Sequence, residues 1–340
     1  MQIWRQPSDI PADLSGSVVT IGVFDGVHKG HRAVITEAVR QARERELPCI
    51  VLTFNPHPAT VHNPGLTVPL VISVDDRLRR LEALDVDVTY LQHYTLDYST
   101  ATAREFVVDQ LLGQLKARAV VVGEDARFGW GNEGDVETLS DLADELGFVA
   151  TVVRDLRDDS GRRWSSTWLR EILDRGDVRA ATKVLGRLHR LRGEVVHGHK
   201  RGRELGFPTA NLQASSAGVV PKDGVYAGWL VRTVPGTKAV ENLPAAISIG
   251  TNPQFNGEGR TVEAHVLGRA DLDLYGEKVA IDLVSYLRPM VSFNSVEELL
   301  ERMDEDLRQT ALALGVPVSG RVDPSEVTAG SDELESADID

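Results

Sequence analysis

A single cysteine, Cys49, is all that 340 residues contain, which excludes an internal disulfide and any multi-cysteine metal site. It sits near the head of an apolar run, where a thiol is expected in the core rather than as a nucleophile. No apolar run reaches the length of a membrane span, and no basic start followed by an apolar stretch marks an export signal. No membrane role is expected, and the cytoplasm is the expected location. Basic charge is also short: 37 Lys and Arg against 51 Asp and Glu leave a net −14. That balance argues against a nucleic-acid-binding face, although local basic clusters can still hold phosphates. Internal repeats are absent, and GxxxxGKS/T occurs nowhere, so a Walker-type site is excluded.

What is present is ordinary for a globular protein, with 42% hydrophobic and 26% charged residues. The length predicts two domains, each able to bury a core. One stretch organises the first of them, Val18 to Ala38. A buried strand, Val18 to Gly22, meets a turn rich in glycine and histidine, and an amphipathic helix starts near Gly30. The glycines of this turn do not follow the dinucleotide spacing GxGxxG. The turn instead holds His28-Lys29-Gly30-His31 at a helix N-terminus, where unpaired N–H groups and the helix dipole attract anions. Two imidazoles three residues apart can share one side and grip charge growing on a phosphate as pyrophosphate leaves. The alternative is two surface histidines.

Further along, strands are expected at Pro48–Phe54, Val86–Leu91, Ala119–Gly123 and Phe148–Val153, with helices at Asp75–Leu84, Ala101–Leu115 and Val136–Leu146. Strands alternating with helices, and apolar throughout, predict a parallel α/β sheet covered on both faces. Ligands bind beyond the C-terminal strand ends of such sheets. Three motifs fall there: the rigid turn Asn55-Pro56-His57-Pro58, the loop Gly123 to Gly134, and Trp164-Ser165-Ser166-Thr167-Trp168-Leu169-Arg170. The hydroxyls read either as a helix N-cap or, with Arg170, as a phosphate grip.

HxGH following GVFDG resembles the nucleotidyltransferase superfamily. With Phe54-Asn55-Pro56-His57-Pro58, the VGEDARFG loop and SSTWLR in the same order, the chain resembles the FMN adenylyltransferase module of the bacterial bifunctional riboflavin kinase/FMN adenylyltransferase family. The resemblance implies a Rossmann-like nucleotidyltransferase fold and transfer of AMP from ATP to FMN. It implies that His28 and His31 steady the triphosphate and that Ser165, Ser166, Thr167 and Arg170 hold its far end. Asp125 would contact nucleotide or metal; Gly22, Phe24, Asp25 and Gly30 would shape the nucleotide turn. Phe54, Asn55 and His57 would line the flavin side. Ala126 departs from the family, which has an aromatic residue there, so a ring contact is missing or comes from Phe128 or Trp130.

After helices at Thr167–Leu173 and Asp177–Leu185, short strands with frequent turn signals predict an antiparallel barrel. Candidates are Leu191–Val196, Gly224–Val231, Ala245–Ile249, Thr261–Val266 and Lys278–Tyr286, closed by an amphipathic helix at Ser295–Leu314. The basic loop around His197 to Gly206 reads as an anion nest over polyphosphate, or as a solvated hairpin. Thr209 and Asn211 present two neutral oxygens which, with ATP phosphates, suit Mg²⁺. Glu263 is an exposed strand residue or a general base.

This half resembles the riboflavin kinase module of the same family, through LGFPTAN, DGVYAG, GTNPQF, TVEAH and LYG. The resemblance implies that Thr209 and Asn211 bind the magnesium of MgATP and that Glu263 activates the ribityl hydroxyl. Gly198, Lys200, Gly202, Gly206 and Pro208 would belong to the nucleotide cover, and Arg288 to the flavin site. The family's acidic residue after that arginine is missing from Leu287 to Phe293, which leaves flavin binding open. The expected domains are 1–186 for the adenylyltransferase and 187–318 for the kinase, followed by a disordered acidic tail at 319–340. ATP, riboflavin, FMN and FAD are the implied small-molecule partners; an oligomer is possible. Two other readings stay open: one active module only, or a flavin-binding protein without turnover.

Overall fold

The computed structural model describes residues 1–65, 67–197, 205–213, 218–251 and 260–326. Its contacts divide the chain into a unit from Met1 to Ser166 and a unit from Thr167 to Asp340.

The first unit is built on six parallel strands: β1 (Gln2–Trp4), β2 (Ser17–Ile21), β3 (Cys49–Asn55), β4 (Val88–His93), β5 (Ala117–Gly123) and β6 (Val149–Val153). They lie in the order β1-β4-β3-β2-β5-β6. Alternation along β2 sends Val18 and Val19 to opposite faces. Val18 packs with Val34, Ala38, Cys49, Ala119 and Val121, on the side of α1 (Lys29–Glu44). Val19 joins Ile50, Leu52, Leu111, Val120, Val122 and Leu139 on the other side. Both faces are therefore covered, as the all-apolar strands demand. Cys49 is fully buried and burial pushes its thiol up to about 12, so it is a core residue.

The other helices of this unit are α2 (Pro58–His62), α3 (Val74–Glu82), α4 (Ala103–Glu105) and α5 (Val136–Leu146). The stretch expected as one helix through Leu115 changes character after α4. From Phe106 to Gln114 it winds as a π-helix, with Leu115 N–H bonded to the Gln110 carbonyl. Two elements have no sequence expectation behind them. β1 is too short for periodicity to register, and α2 begins at Pro58, which serves as the first helical residue rather than prolonging the turn.

In the second unit, α6 (Ser166–Asp174, whose first residue belongs to the first unit) leads to α7 (Val178–Leu185). Strands β7 (His189–Val196), β8 (Ala210–Leu212), β9 (Gly224–Thr233), β10 (Val240–Thr251), β11 (Arg260–Val266) and β12 (Lys278–Arg288) follow. They close an antiparallel barrel in the order β10-β11-β8-β7-β12-β9. The helix α8 (Val296–Leu314) is capped by the Ser295 hydroxyl and buries Asp306, Leu307, Thr310 and Ala311. Leu307 and Ala311 pack with Phe207 and Leu267, so this helix supports the segment that enters β8.

Two expected boundaries differ from these contacts. Residues 167–185 group with the barrel, because α7 packs on β7 and β12. The tail expected from 319 holds a defined path as far as Glu326. Val322 N–H bonds to the Gly206 carbonyl at 3.1 Å, Arg321 pairs with Asp304, and Pro324–Glu326 makes a 3-10 turn. Gly198, Lys200 and Gly202, expected in a nucleotide loop, lie outside the described residues, as do residues 327–340.

Candidate functional site

In the first sheet β2 is flanked by β3 on one side and β5 on the other, so the strand order reverses there. Loops leaving β2 and β5 border the crevice where such sheets bind ligands. The β2 loop is conformationally costly: Phe24, Val27 and Gly26 all have positive φ (50°, 40° and 85°), and a β-branched residue strongly disfavours that region. The Asp25 carboxylate pins the loop by accepting the Val71 N–H at 2.9 Å. The Ser166 hydroxyl donates to the Asp25 carbonyl at 2.7 Å. Arg77, 2% exposed, donates to the carbonyls of Val23 (2.6 Å) and Phe54 (3.0 Å), tying the β2 and β3 loops together.

That frame holds the two histidines at the start of α1. His28 is its N-cap and its Nδ1 accepts the His31 N–H at 3.3 Å. A neutral His28 therefore carries its proton on Nε2. The imidazoles stack with centroids 3.6 Å apart, and the Phe24 ring meets His31 edge-on. Gly30 gives the stack room: a Cβ there would lie 3.1 Å from the His28 ring, a tight contact. Burial holds the His31 ring well below the usual imidazole range, and the neighbouring His28, Arg77 and Arg163 charges push the same way. A neutral N–H donor thus sits among positive charge at a helix N-terminus, which suits a polyphosphate. Lys29 Nζ lies 4.7 Å over the Trp164 ring.

The loop after β5 presents Asp125, ion-paired with Arg163 at 2.6 Å. Gly129, Gly131 and Gly134 within it have dinucleotide spacing, but Gly129 and Gly134 answer to packing. A Cβ on Gly129 would strike the Ala103 backbone at 2.5 Å, and one on Gly134 the Phe128 ring at 2.7 Å. Phe128 is itself in the core beside Phe106, so it cannot replace the ring missing at Ala126; Trp130, 62% exposed, can. At the ends of β3 and β4, Phe54, Tyr94, Tyr98 and His62 form an aromatic cluster with centroids 5.5–6.2 Å apart. Tyr94 OH bonds His62 Nε2 at 3.0 Å, and Tyr98 OH bonds Gln110. The cluster is a partly exposed planar apolar surface, suited to a flat ring system.

In the barrel, Glu263 and Asn211 are register partners across β11 and β8. Their flanking residues Val262, Ala264, Ala210 and Leu212 are buried, so both polar side chains belong to the opposite face of the ladder. Thr209 precedes β8 by one residue and lines a cavity of about 40 Å³ with Pro208, Ala264 and Tyr275. Two neutral oxygen donors and a carboxylate make a hard, oxygen-only set, which fits Mg²⁺ arriving with phosphates better than a dedicated cage. Among the described residues no group of three His, Cys, Asp or Glu side chains could hold a metal.

Residues 10–168 match the FAD synthetase family model and residues 185–314 the riboflavin kinase model. The bifunctional riboflavin kinase/FMN adenylyltransferase of Listeria monocytogenes is 35% identical over 295 residues, 86% of this chain and 91% of its own. That of Escherichia coli K12 is 35% identical, covering 87% and 92%, and that of Bacillus subtilis 168 is 30% identical, covering 88% and 93%. The chain belongs to this family. A solved Streptococcus pneumoniae chain, described as a macrolide-efflux protein, aligns with TM-score 0.82 at 31% identity, over 91% of this chain and 99% of that one. No described helix of the present chain is long and apolar enough to cross a membrane.

As a riboflavin kinase/FMN adenylyltransferase, the chain gathers Gly22, Phe24, Asp25, His28, Gly30 and His31 in one loop and helix start, where Phe24 packs over Gly22. Asn55 accepts the Tyr94 N–H through its carbonyl, and His57 caps α2, its Nδ1 accepting the Ala59 N–H. Thr167 and Arg170 lie on α6, in the second unit by contacts. Arg288, expected in the flavin site, ends β12. It is 8% exposed, and its guanidinium grips Asp306 of α8 with bonds of 2.8 and 2.6 Å. The acid that this arginine pairs with is thus Asp306, 18 residues away in sequence. Arg77, Tyr94 and Tyr98 went unread because none belongs to a motif; the only signal was an arginine on the buried face of α3.

Proposed function

We propose that the two units act in succession on one flavin: riboflavin and ATP give FMN and ADP in the second, and FMN and ATP give FAD and pyrophosphate in the first. Family membership and the presence of both matched modules support the pair of reactions. The observation that carries the residue-level reading is the ladder pair Asn211–Glu263, which sets a candidate base directly beside a candidate phosphate-side ligand.

In the kinase step Glu263 takes the proton of the ribityl 5′-hydroxyl as its oxygen attacks the γ-phosphorus and ADP leaves. Thr209 and Asn211 are the residues to hold a divalent ion with the nucleotide, whose chemistry there is neutralisation of phosphate charge. Arg288 acts through α8 rather than on the flavin. In the adenylyl step the FMN phosphate is already anionic and needs no base. One of its oxygens attacks the α-phosphorus, and the ring N–H groups of His28 and His31 stabilise the departing pyrophosphate. Ser165, Ser166, Thr167 and Arg170 are assigned to the far phosphates, and Asp125 to the nucleotide side. The aromatic cluster of Phe54, Tyr94 and Tyr98 is assigned to the flavin ring. Cytoplasmic location and small-molecule partners complete the reading.

The test is a chromatographic time course from riboflavin, and again from FMN, with ATP and Mg²⁺. Wild type should run through FMN to FAD, Glu263→Ala should fail only from riboflavin, and His31→Ala should stall at FMN. Full riboflavin phosphorylation by Glu263→Ala would remove the base assignment.

A further inference from the structure

His265 lies two residues beyond Glu263 on β11 and is 4% exposed. Its Nδ1 is 2.8 Å from the Pro208 carbonyl, so Nδ1 carries the hydrogen and donates it. Its Nε2 is buried with no hydrogen-bond partner among the described residues. A buried acceptor left unpaired is destabilising, and an aliphatic side chain at this position would avoid that cost.

The ladder explains what the cost accompanies. β8 pairs with β11 only over Ala210, Asn211 and Leu212, opposite Ala264, Glu263 and Val262. Pro208 has no N–H and cannot extend the pairing, so Thr209 stands just outside the last ladder rung. The imidazole supplies the missing link from the side-chain direction, tying the Pro208 carbonyl to the strand that carries Glu263. Phe207, 1% exposed and 5.4 Å from the His265 ring, braces the same segment from α8.

We infer that His265 is a positioning residue for the kinase step: through Pro208 it sets Thr209 in register with Asn211 and Glu263. This rests on the reading of Thr209 and Asn211 as the residues that hold the divalent ion.

The experiment uses the full chain in four forms: wild type, His265→Leu, His265→Asn and Thr209→Val. Binding of Mn²⁺ with ADP is followed by the electron paramagnetic signal of free Mn²⁺, beside the kinase KM for MgATP and kcat. Thermal melting followed by circular dichroism on the same preparations reports that the barrel is folded. Leucine fills the volume without the donor, and asparagine places an amide N–H where Nδ1–H was. Loss of a residue that orients a metal ligand weakens metal binding about 10- to 100-fold. His265→Leu is expected to weaken Mn²⁺·ADP in that range and raise KM more than it lowers kcat, and His265→Asn to recover most of both. Unchanged Mn²⁺·ADP binding in His265→Leu, while Thr209→Val weakens it, would overturn the inference alone. Asparagine behaving no better than leucine would also overturn it. Unchanged binding in Thr209→Val would overturn the metal reading beneath it.

Discussion

Replacing Asp306 by alanine strands the Arg288 guanidinium in a site where both side chains are 9% exposed. The two charge-assisted bonds, 2.8 and 2.6 Å, disappear, and of the contacts described only the Pro289 carbonyl at 3.0 Å remains. Breaking one side of a buried ion pair costs about 3–5 kcal/mol, because the surviving charge stays desolvated. At about 2–4 °C per kcal/mol for a unit of this size, the kinase half should lose roughly 10 °C of thermal stability. The assay is the midpoint of heat inactivation, scored separately as riboflavin phosphorylation and as FAD formation from FMN. Only the first should move. Changing both partners to apolar residues, Arg288→Met with Asp306→Leu, should restore most of the loss, since apolar replacements of a buried pair are often neutral or better. If Asp306→Ala instead leaves the midpoint within a degree or two and raises KM for riboflavin, Arg288 serves the flavin and the structural account is wrong.

Other expectations concern the first unit. The folded His31 ring has a pKa below the free value of 6.5, so the unfolded chain takes up its proton first as pH falls. The stability this ring contributes is therefore complete above about pH 6.5 and lost as pH falls toward the folded value, a dependence that His31→Asn should flatten in urea unfolding. Adding ATP should move the ring's NMR titration upward, because phosphate charge favours the protonated form. Gly30→Ala drives a methyl to 3.1 Å from the His28 ring; FAD formation should fall at least tenfold (about 1.4 kcal/mol) with riboflavin phosphorylation unchanged. Arg77→Met removes charged hydrogen bonds to two loop carbonyls, worth about 1.5–3 kcal/mol each. It should lower the heat-inactivation midpoint of FAD formation and spare the kinase.

Periodicity located almost every long element because each has one unambiguous burial pattern: Val18 and Val19 both need a covered face, and only a doubly covered parallel strand gives them one. The histidine turn was legible for the same reason, since a strand, a glycine and a helix start fix its geometry locally. Arg77 and the Arg288–Asp306 pair were not, because each depends on contacts distant in sequence that no local pattern encodes. The path of Ser319 to Glu326 was hidden by composition: small polar residues look unstructured until Gly206, at φ 80°, offers its carbonyl to Val322. Phe128 misled in the opposite way, as an aromatic residue in a ligand-like loop that turns inward to the core.

The Asn211–Glu263 pairing has a consequence for how this half can vary. Its two polar groups are spaced by the pleat of adjacent strands, not by the loops that precede or follow them. Loops on either side can lengthen, shorten or be exchanged between relatives while the pair keeps its separation. A slip of either strand by one residue would turn its own polar side chain into the barrel interior and part the pair. Grafting foreign loops onto this barrel should therefore retune what it binds long before it disturbs the spacing of base and ligand.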